Sequence, residues 1–409
     1  MSDPPPPPAT ADDAPRASGY TAAQQRMYFI QAGLTAAGAW VYLYSGLSAT
    51  LAAGLRAQWG DRWWLVNGLH ILFSVFGFAA ALFPITCYTD YVLDRHYGRS
   101  RQEFGAWLAD FFKTVAIELA FALVFFELIY ALLRWWPNYW WLPATGGYVF
   151  FATVLSAAAP GWILPLFHRI EPIPDTELRD AARALGARLG APVTEVCRWR
   201  LGDKTTDVNA ALAGWGRTRR ILLSDTLLAA HPRDEILAVV AHEIGHQRRR
   251  DLPRMMLTGG LLSGIGFYLV HRALQRLVAA QPLLGLTGPD DIAGFPALLL
   301  GLFIFSLLVM PLLHAQSRAA EYAADAFAAR ALGGPAALIR ALERLGQPPT
   351  DEPDPSPWIE FLLHSHPSLR RRIARLRGYQ SAAAAATTAS SHSVAAAATD
   401  GGNARTAST

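Results

Sequence analysis

The chain has 409 residues and a net charge of only +4, with 52% of residues hydrophobic and 17% charged. That balance excludes an ordinary soluble protein and points to membrane spans. A small, Arg-based charge gathered in short loops also excludes a nucleic-acid-binding surface.

Residues 1–20 hold five consecutive prolines and several acids, without the basic start and apolar core of a signal peptide, and read as a disordered N-terminal tail. About six apolar stretches follow, at 28–55, 68–88, 112–133, 147–167, 255–274 and 293–314. The first four form a membrane block over 21–170 and the last two a second block over 255–316. Arg95, Arg99, Arg101 and Lys113 follow the second stretch, and Arg248, Arg249, Arg250 and Arg254 precede the fifth. The loop WWPNYWWLP after the third stretch reads as an aromatic belt on the far side. The positive-inside pattern therefore puts both tails and the polar middle segment in the cytoplasm. Abundant Arg and Ala, with Lys113 and Lys204 the only lysines, point to a GC-rich bacterial genome and hence to a bacterial inner membrane. Glu118 and Glu127, nine residues apart, face opposite sides of one helix, so at most one lines a given cavity.

The middle segment, 171–254, is mixed α and β. Helices are expected at 175–190 and 233–250, and strands at 194–201 and 219–225. A second polar segment, 317–380, folds against it to complete one domain, and 381–409 reads as a second disordered tail. The cysteines, Cys87 and Cys197, are too few and too far apart for a disulfide framework or a cysteine zinc site.

The chemistry centres on His242-Glu243-Ile244-Gly245-His246. Residues four apart on a helix share a face, so both imidazoles can bind one metal, with the Glu243 carboxylate beside the water on it. Glu321 and Asp325 are again one turn apart, just beyond the last apolar stretch. Two histidines and a carboxylate from another helix are the donor set of a catalytic zinc site, which leaves a position open. Asp325 can then accept the remaining N–H of a ligand histidine.

These motifs resemble the type I CAAX prenyl endopeptidases and their HtpX-like bacterial relatives. The resemblance extends to LPLFHRIEPIPDTEL, VNAALAGWGRTRRILLSDTLL and HSHPSLRRRI. It implies a fold that is mainly α: a polytopic helical membrane bundle with a cytoplasmic α+β gluzincin-type zinc metallopeptidase domain. It implies Zn²⁺ held by His242, His246 and Glu321, with Glu243 as base. It also implies that Asn209, His366 and Arg372 face the substrate or the oxyanion, and that a substrate strand pairs along Asn209, Ala210 and Ala211. Asp251 departs from the family, many members of which carry histidine five residues after the second ligand. Alanines 211 and 213 stand where members often have aromatic residues. The expected partners are a peptide or protein substrate at the membrane, either CAAX-type prenylated or misfolded, and the lipid bilayer itself. A non-catalytic scaffold braced by zinc is the rival reading. Nothing in the sequence speaks to the oligomeric state.

Overall fold

A computed structural model describes residues 13–60, 62–214, 219–280, 284–346 and 355–381, with side chains from residue 18 onward. Of the expected tails, 1–20 and 381–409, residues 1–12 and 382–409 lie outside the described residues, whereas 13–20 are not a disordered tail but open the first helix, where Tyr20 is buried.

Helices α1 (Asp13–Tyr44) and α2 (Leu47–Trp59) divide the first expected span. They part at Gly46, whose φ of 77° is a left-handed conformation that glycine alone holds without strain. An apolar run that reads as one helix is therefore built as two. Helix α3 (Trp63–Cys87) continues through a π turn, Tyr88–Leu93, into the short α4 (Asp94–His96). Helices α5 (Phe104–Trp135), α6 (Trp141–Trp162) and α7 (Leu164–Phe167) follow.

The polar domain then begins with β1 (Ile170–Pro172), α8 (Thr176–Arg188), β2 (Glu195–Trp199), β3 (Ala210–Ala213) and β4 (Arg220–Ser224). After them come α9 (Asp225–Ala230), α10 (Arg233–Arg249) and α11 (Asp251–Ala279). The chain ends in α12 (Phe295–Ala331), α13 (Ala336–Leu345), α14 (Pro357–Leu363) and a last helix, α15, at 369–381.

Among the described residues, four helical stretches are long and apolar enough to cross a membrane: Trp63–His96, Phe104–Trp135, Trp141–Trp162 and Ile292–Ala331. Their outer surfaces carry bare apolar side chains such as Phe150, Trp162 and Leu308, as a lipid solvent requires. Helix α11, the fifth expected span, is less apolar because part of its surface meets protein. A Cβ on Gly260 would lie 2.7 Å from Val149 of α6, and one on Gly266 would lie 2.6 Å from Phe305 of α12. Small residues let membrane helices approach closely. Glu127 sits in the α3–α5 contact, with Oε1 3.1 Å from where a Cβ on Gly68 would be. Glu118, on the other side of α5, is exposed.

The four strands form one sheet in the order β1-β2-β4-β3. β2 and β4 run parallel, and the outer strands are antiparallel to their neighbours. β3 is thus an edge strand. Its entry is fixed by the Ser224 hydroxyl, which accepts from the Asn209 N–H at 3.0 Å while capping α9 through Leu227 N–H at 3.1 Å. The loop after α4 also grips this entry. Arg101 N–H donates to the Lys204 carbonyl at 2.8 Å, and Thr206 N–H to the Arg99 carbonyl at 3.0 Å. Ile236, Val240 and Ile244, four residues apart along α10, are buried in the core with Ile221 and Leu223 of the sheet. That orientation aims the neighbouring face of α10 at α12.

Candidate active site

Helix α10 is built to begin and end where it does. Asp234 and Glu235 lie in its first turn and Arg248 and Arg249 in its last, matching the helix dipole at both ends. It stops at Arg250, which is left-handed with φ 57°. Near its C-terminal end, Gly245 takes α10 against α12. A Cβ there would lie 3.2 Å from Ala324 Cα and 3.3 Å from the Ala324 carbonyl oxygen. Gly245→Val is accordingly expected to lower stability by about 1–3 kcal/mol by forcing the two helices apart. A melt in detergent with parallel metal analysis should show both falling together, since the candidate metal donors are divided between these helices.

The close crossing brings three donors together. His242 Nε2 lies 3.2 Å from His246 Nε2 and 3.4 Å from Glu321 Oε2, and His246 Nε2 lies 3.4 Å from Glu321 Oε1. The two rings meet edge to face, with 88° between their planes. Zinc bonds of about 2.0–2.2 Å in a tetrahedral shell set their donors roughly 3.3–3.6 Å apart. The three donors fit that ion in both type and spacing.

The protons on the imidazoles can be assigned from their neighbours. His242 Nδ1 lies 2.9 Å from Asp325 Oδ1, and His246 Nδ1 lies 3.0 Å from Asp251 Oδ2. A carboxylate only accepts, so each Nδ1 carries a hydrogen, and each Nε2 is the nitrogen whose lone pair a cation would take in exchange for a proton. With no cation bound, the surrounding carboxylates pull a further proton onto the histidines. Burial by itself would lower the His242 imidazole, but hydrogen bonds to Asp325 and Glu321 outweigh it and raise its pKa to about 9. His246 is likewise lowered by burial and raised further by Glu321, for a net rise. The cluster calls for positive charge at this point.

Glu243, on the same helix, has its carboxyl raised by burial, with the two histidines pulling the other way. Arg372 of α15 is buried and holds Asp325 in a two-pronged contact, Nη2 to Oδ1 at 2.7 Å and Nε to Oδ2 at 2.9 Å. Its Nη1 lies 3.2 Å from Glu321 Oε2. His366, 65% exposed at its side chain, brings Nε2 to 3.3 Å from Glu321 Oε1. The loop bearing it is held by α12: Arg318 donates to the Glu360 and His364 carbonyls at 2.9 and 2.6 Å.

His242, His246, Glu321, Asp325, Arg372 and His366 therefore form one cluster. Asn209 is exposed, and Ala210 and Ala211 lie on β3, which packs beside α10. Two residues given no role by sequence reasoning belong to the cluster: Asp251, noted only as a departure, and Gly245, a wild-card position of the motif. The glycine could have been found, because a helical glycine between two ligand histidines signals close packing.

The chain is similar to known proteins in sequence and in fold. The family profile described as "Peptidase family M48" matches residues 172–380, and "CAAX prenyl protease N-terminal, five membrane helices" matches residues 7–169. An uncharacterized metalloprotease, YhfN, of Bacillus subtilis is 27% identical over 368 residues, 90% of this chain and 86% of that one. CAAX prenyl protease 1 of Saccharomyces cerevisiae is 28% identical over 313 residues, 72% of this chain and 68% of that one. The crystal structure of Ste24p from S. mikatae superposes with a TM-score of 0.77 at 21% identity, covering 91% of this chain and 92% of that one, which establishes the shared fold. With the metallopeptidase profile spanning 172–380 and membrane helices preceding it, the chain belongs to peptidase family M48 and is a multi-pass membrane metallopeptidase.

Proposed function

We propose that the chain cleaves peptide bonds at the cytoplasmic face of the membrane, using zinc held by His242, His246 and Glu321. The observation that carries this reading is the triangle of donors, 3.2–3.4 Å on a side, with the Glu243 carboxylate on the helix that bears both histidines. Zinc bound there would supply Lewis acidity toward the scissile carbonyl and an attacking water.

The remaining work falls to side chains and backbone. Glu243 takes the proton of the attacking water and hands it to the leaving amine, and its burial raises its proton affinity toward the working pH. An extended substrate adds to the free edge of β3 at Ala210 and Ala211, beside Asn209, through backbone hydrogen bonds. His366, exposed and turned toward Glu321, donates to the oxyanion. Asp325 holds the His242 ring, and Arg372 holds Asp325. The segments 171–254 and 317–380 together form the catalytic domain, on the side where Arg95, Arg99, Arg101 and Lys113 collect.

The substrates we propose are peptide segments presented at the membrane surface. The yeast relative's name, CAAX prenyl protease 1, favours prenylated C-terminal peptides. Unfolded membrane proteins are the other class. Purified in detergent, the protein is expected to contain zinc, to lose cleavage on chelation and to regain it when zinc is returned. Testing a farnesylated peptide beside an unfolded membrane protein separates the two classes. Full metal occupancy with no chelator-sensitive cleavage of either would replace this reading with a metal-braced scaffold.

A further inference from the structure

Both histidines proposed as ligands lean on a carboxylate, but the two carboxylates arrive by different routes. Asp325 reaches His242 from α12, the helix that also carries Glu321. Asp251 reaches His246 from the first residue of α11, the helix that leads back toward the membrane. Asp251 is buried, at 5% exposure, with Arg249 Nε 3.5 Å from its Oδ2 and Arg254 Nη1 3.9 Å from its Oδ1. Burying a carboxylate is unfavourable unless its oxygens are engaged, and the short contact it makes is the imidazole N–H of His246.

The chain also bends sharply to bring it there. Arg250 is the only non-glycine residue with positive φ among the described residues, and it alone separates α10 from α11. A left-handed Arg costs roughly 1–2 kcal/mol. A glycine would avoid that cost, but the turn would be looser in the unfolded chain and the pairing of Asp251 with His246 less well fixed.

We infer that Asp251 is a positioning residue for His246, fixing the tautomer that bares Nε2 and the angle at which that nitrogen meets the metal. The inference rests on the zinc reading above. Its chemical basis is that a carboxylate behind a ligand imidazole orients the ring and raises its basicity.

Zinc affinity, read by competition with a chelator in detergent, tests it on wild type, Asp251→Ala and Asp251→Asn. Asp251→Ala is expected to weaken zinc binding by about 10–100-fold. Asp251→Asn, which keeps an oxygen to accept the N–H but lacks the charge, should recover part of that loss. The visible absorption of the cobalt(II)-loaded protein should change in the Ala variant and stay close to wild type in the Asn variant. The metal-free Asn variant should melt with the wild type. An Ala variant that binds zinc as tightly as wild type overturns the inference alone, as does an Asn variant no better than Ala. A wild type that takes up no zinc overturns the proposed function and this inference together.

Discussion

Glu243→Gln is expected to leave zinc content and the melting temperature unchanged while lowering peptide hydrolysis by roughly 10²–10⁴-fold. The substitution preserves shape and removes the negative charge and, with it, the ability to take up a proton. His242, His246 and Glu321 are untouched, and burial and nearby charges, not a hydrogen bond, act on the Glu243 carboxylate, so no structural hydrogen bond is lost. Burial and the two neighbouring histidines set its proton affinity, which is the property a base for water uses. The loss should appear in kcat with little change in KM, because the side chain acts on the water and not on the bound peptide. A zinc-loaded Gln variant of full activity would remove Glu243 from the mechanism.

Arg372→Met is expected to destabilise the protein by about 3–5 kcal/mol, as removal of one partner from a buried ion pair does. Asp325 would keep its contact to His242 but lose both prongs of the guanidinium, and Glu321 would lose the cation 3.2 Å away. Zinc affinity should fall as well, because His242 and Glu321 both depend on that corner. Asp325→Asn in the same chain should recover part of the stability, so that the double variant loses less than the two single losses added. Arg372→Lys should not rescue, since an ammonium cannot span both carboxylate oxygens as the planar fork does. These contacts engage Nε, Nη1 and Nη2 with carboxylates. They favour a supporting role for Arg372 over the oxyanion role that resemblance suggests, and leave His366 the freer donor. Melting curves in detergent, with zinc analysis of each variant, check all three statements.

How much of this could be read in the sequence depends on whether the signal is local. The His242–His246 and Glu321–Asp325 spacings are properties of single helices, so each pair is legible without knowing the fold. Helix α10 and strands β2 and β4 carry their apolar patterns in the same way. Strands β1 and β3 have 3 and 4 residues, too few for a period to register. Gly46 is invisible to an apolar count, which merged two helices into one span. The sequence of the long α12 reads as a membrane span followed by a separate polar segment, because composition changes near Ser317. The backbone does not break there, and Pro311 is accommodated inside one helix from Phe295 to Ala331. Asp251 and Arg372 were hardest. Each sits in or beside a run of arginines that looks like a solvated surface, and only the tertiary fold brings them to the histidines.

The unbroken course of α12 has a metric consequence. A helix rises about 1.5 Å per residue, so Phe295 and Glu321 are at most roughly 39 Å apart along the axis. The hydrocarbon layer accounts for about 30 Å of that. With Phe295 at one edge of that layer, Glu321 would stand within about 10 Å of the other edge, at the height of the lipid headgroups. The helix acts as a measuring rod with its foot in the bilayer. On the proposed function, a peptide bond would be eligible by altitude before its side chains are inspected, and a polypeptide that keeps its distance from the lipid would not reach the blade.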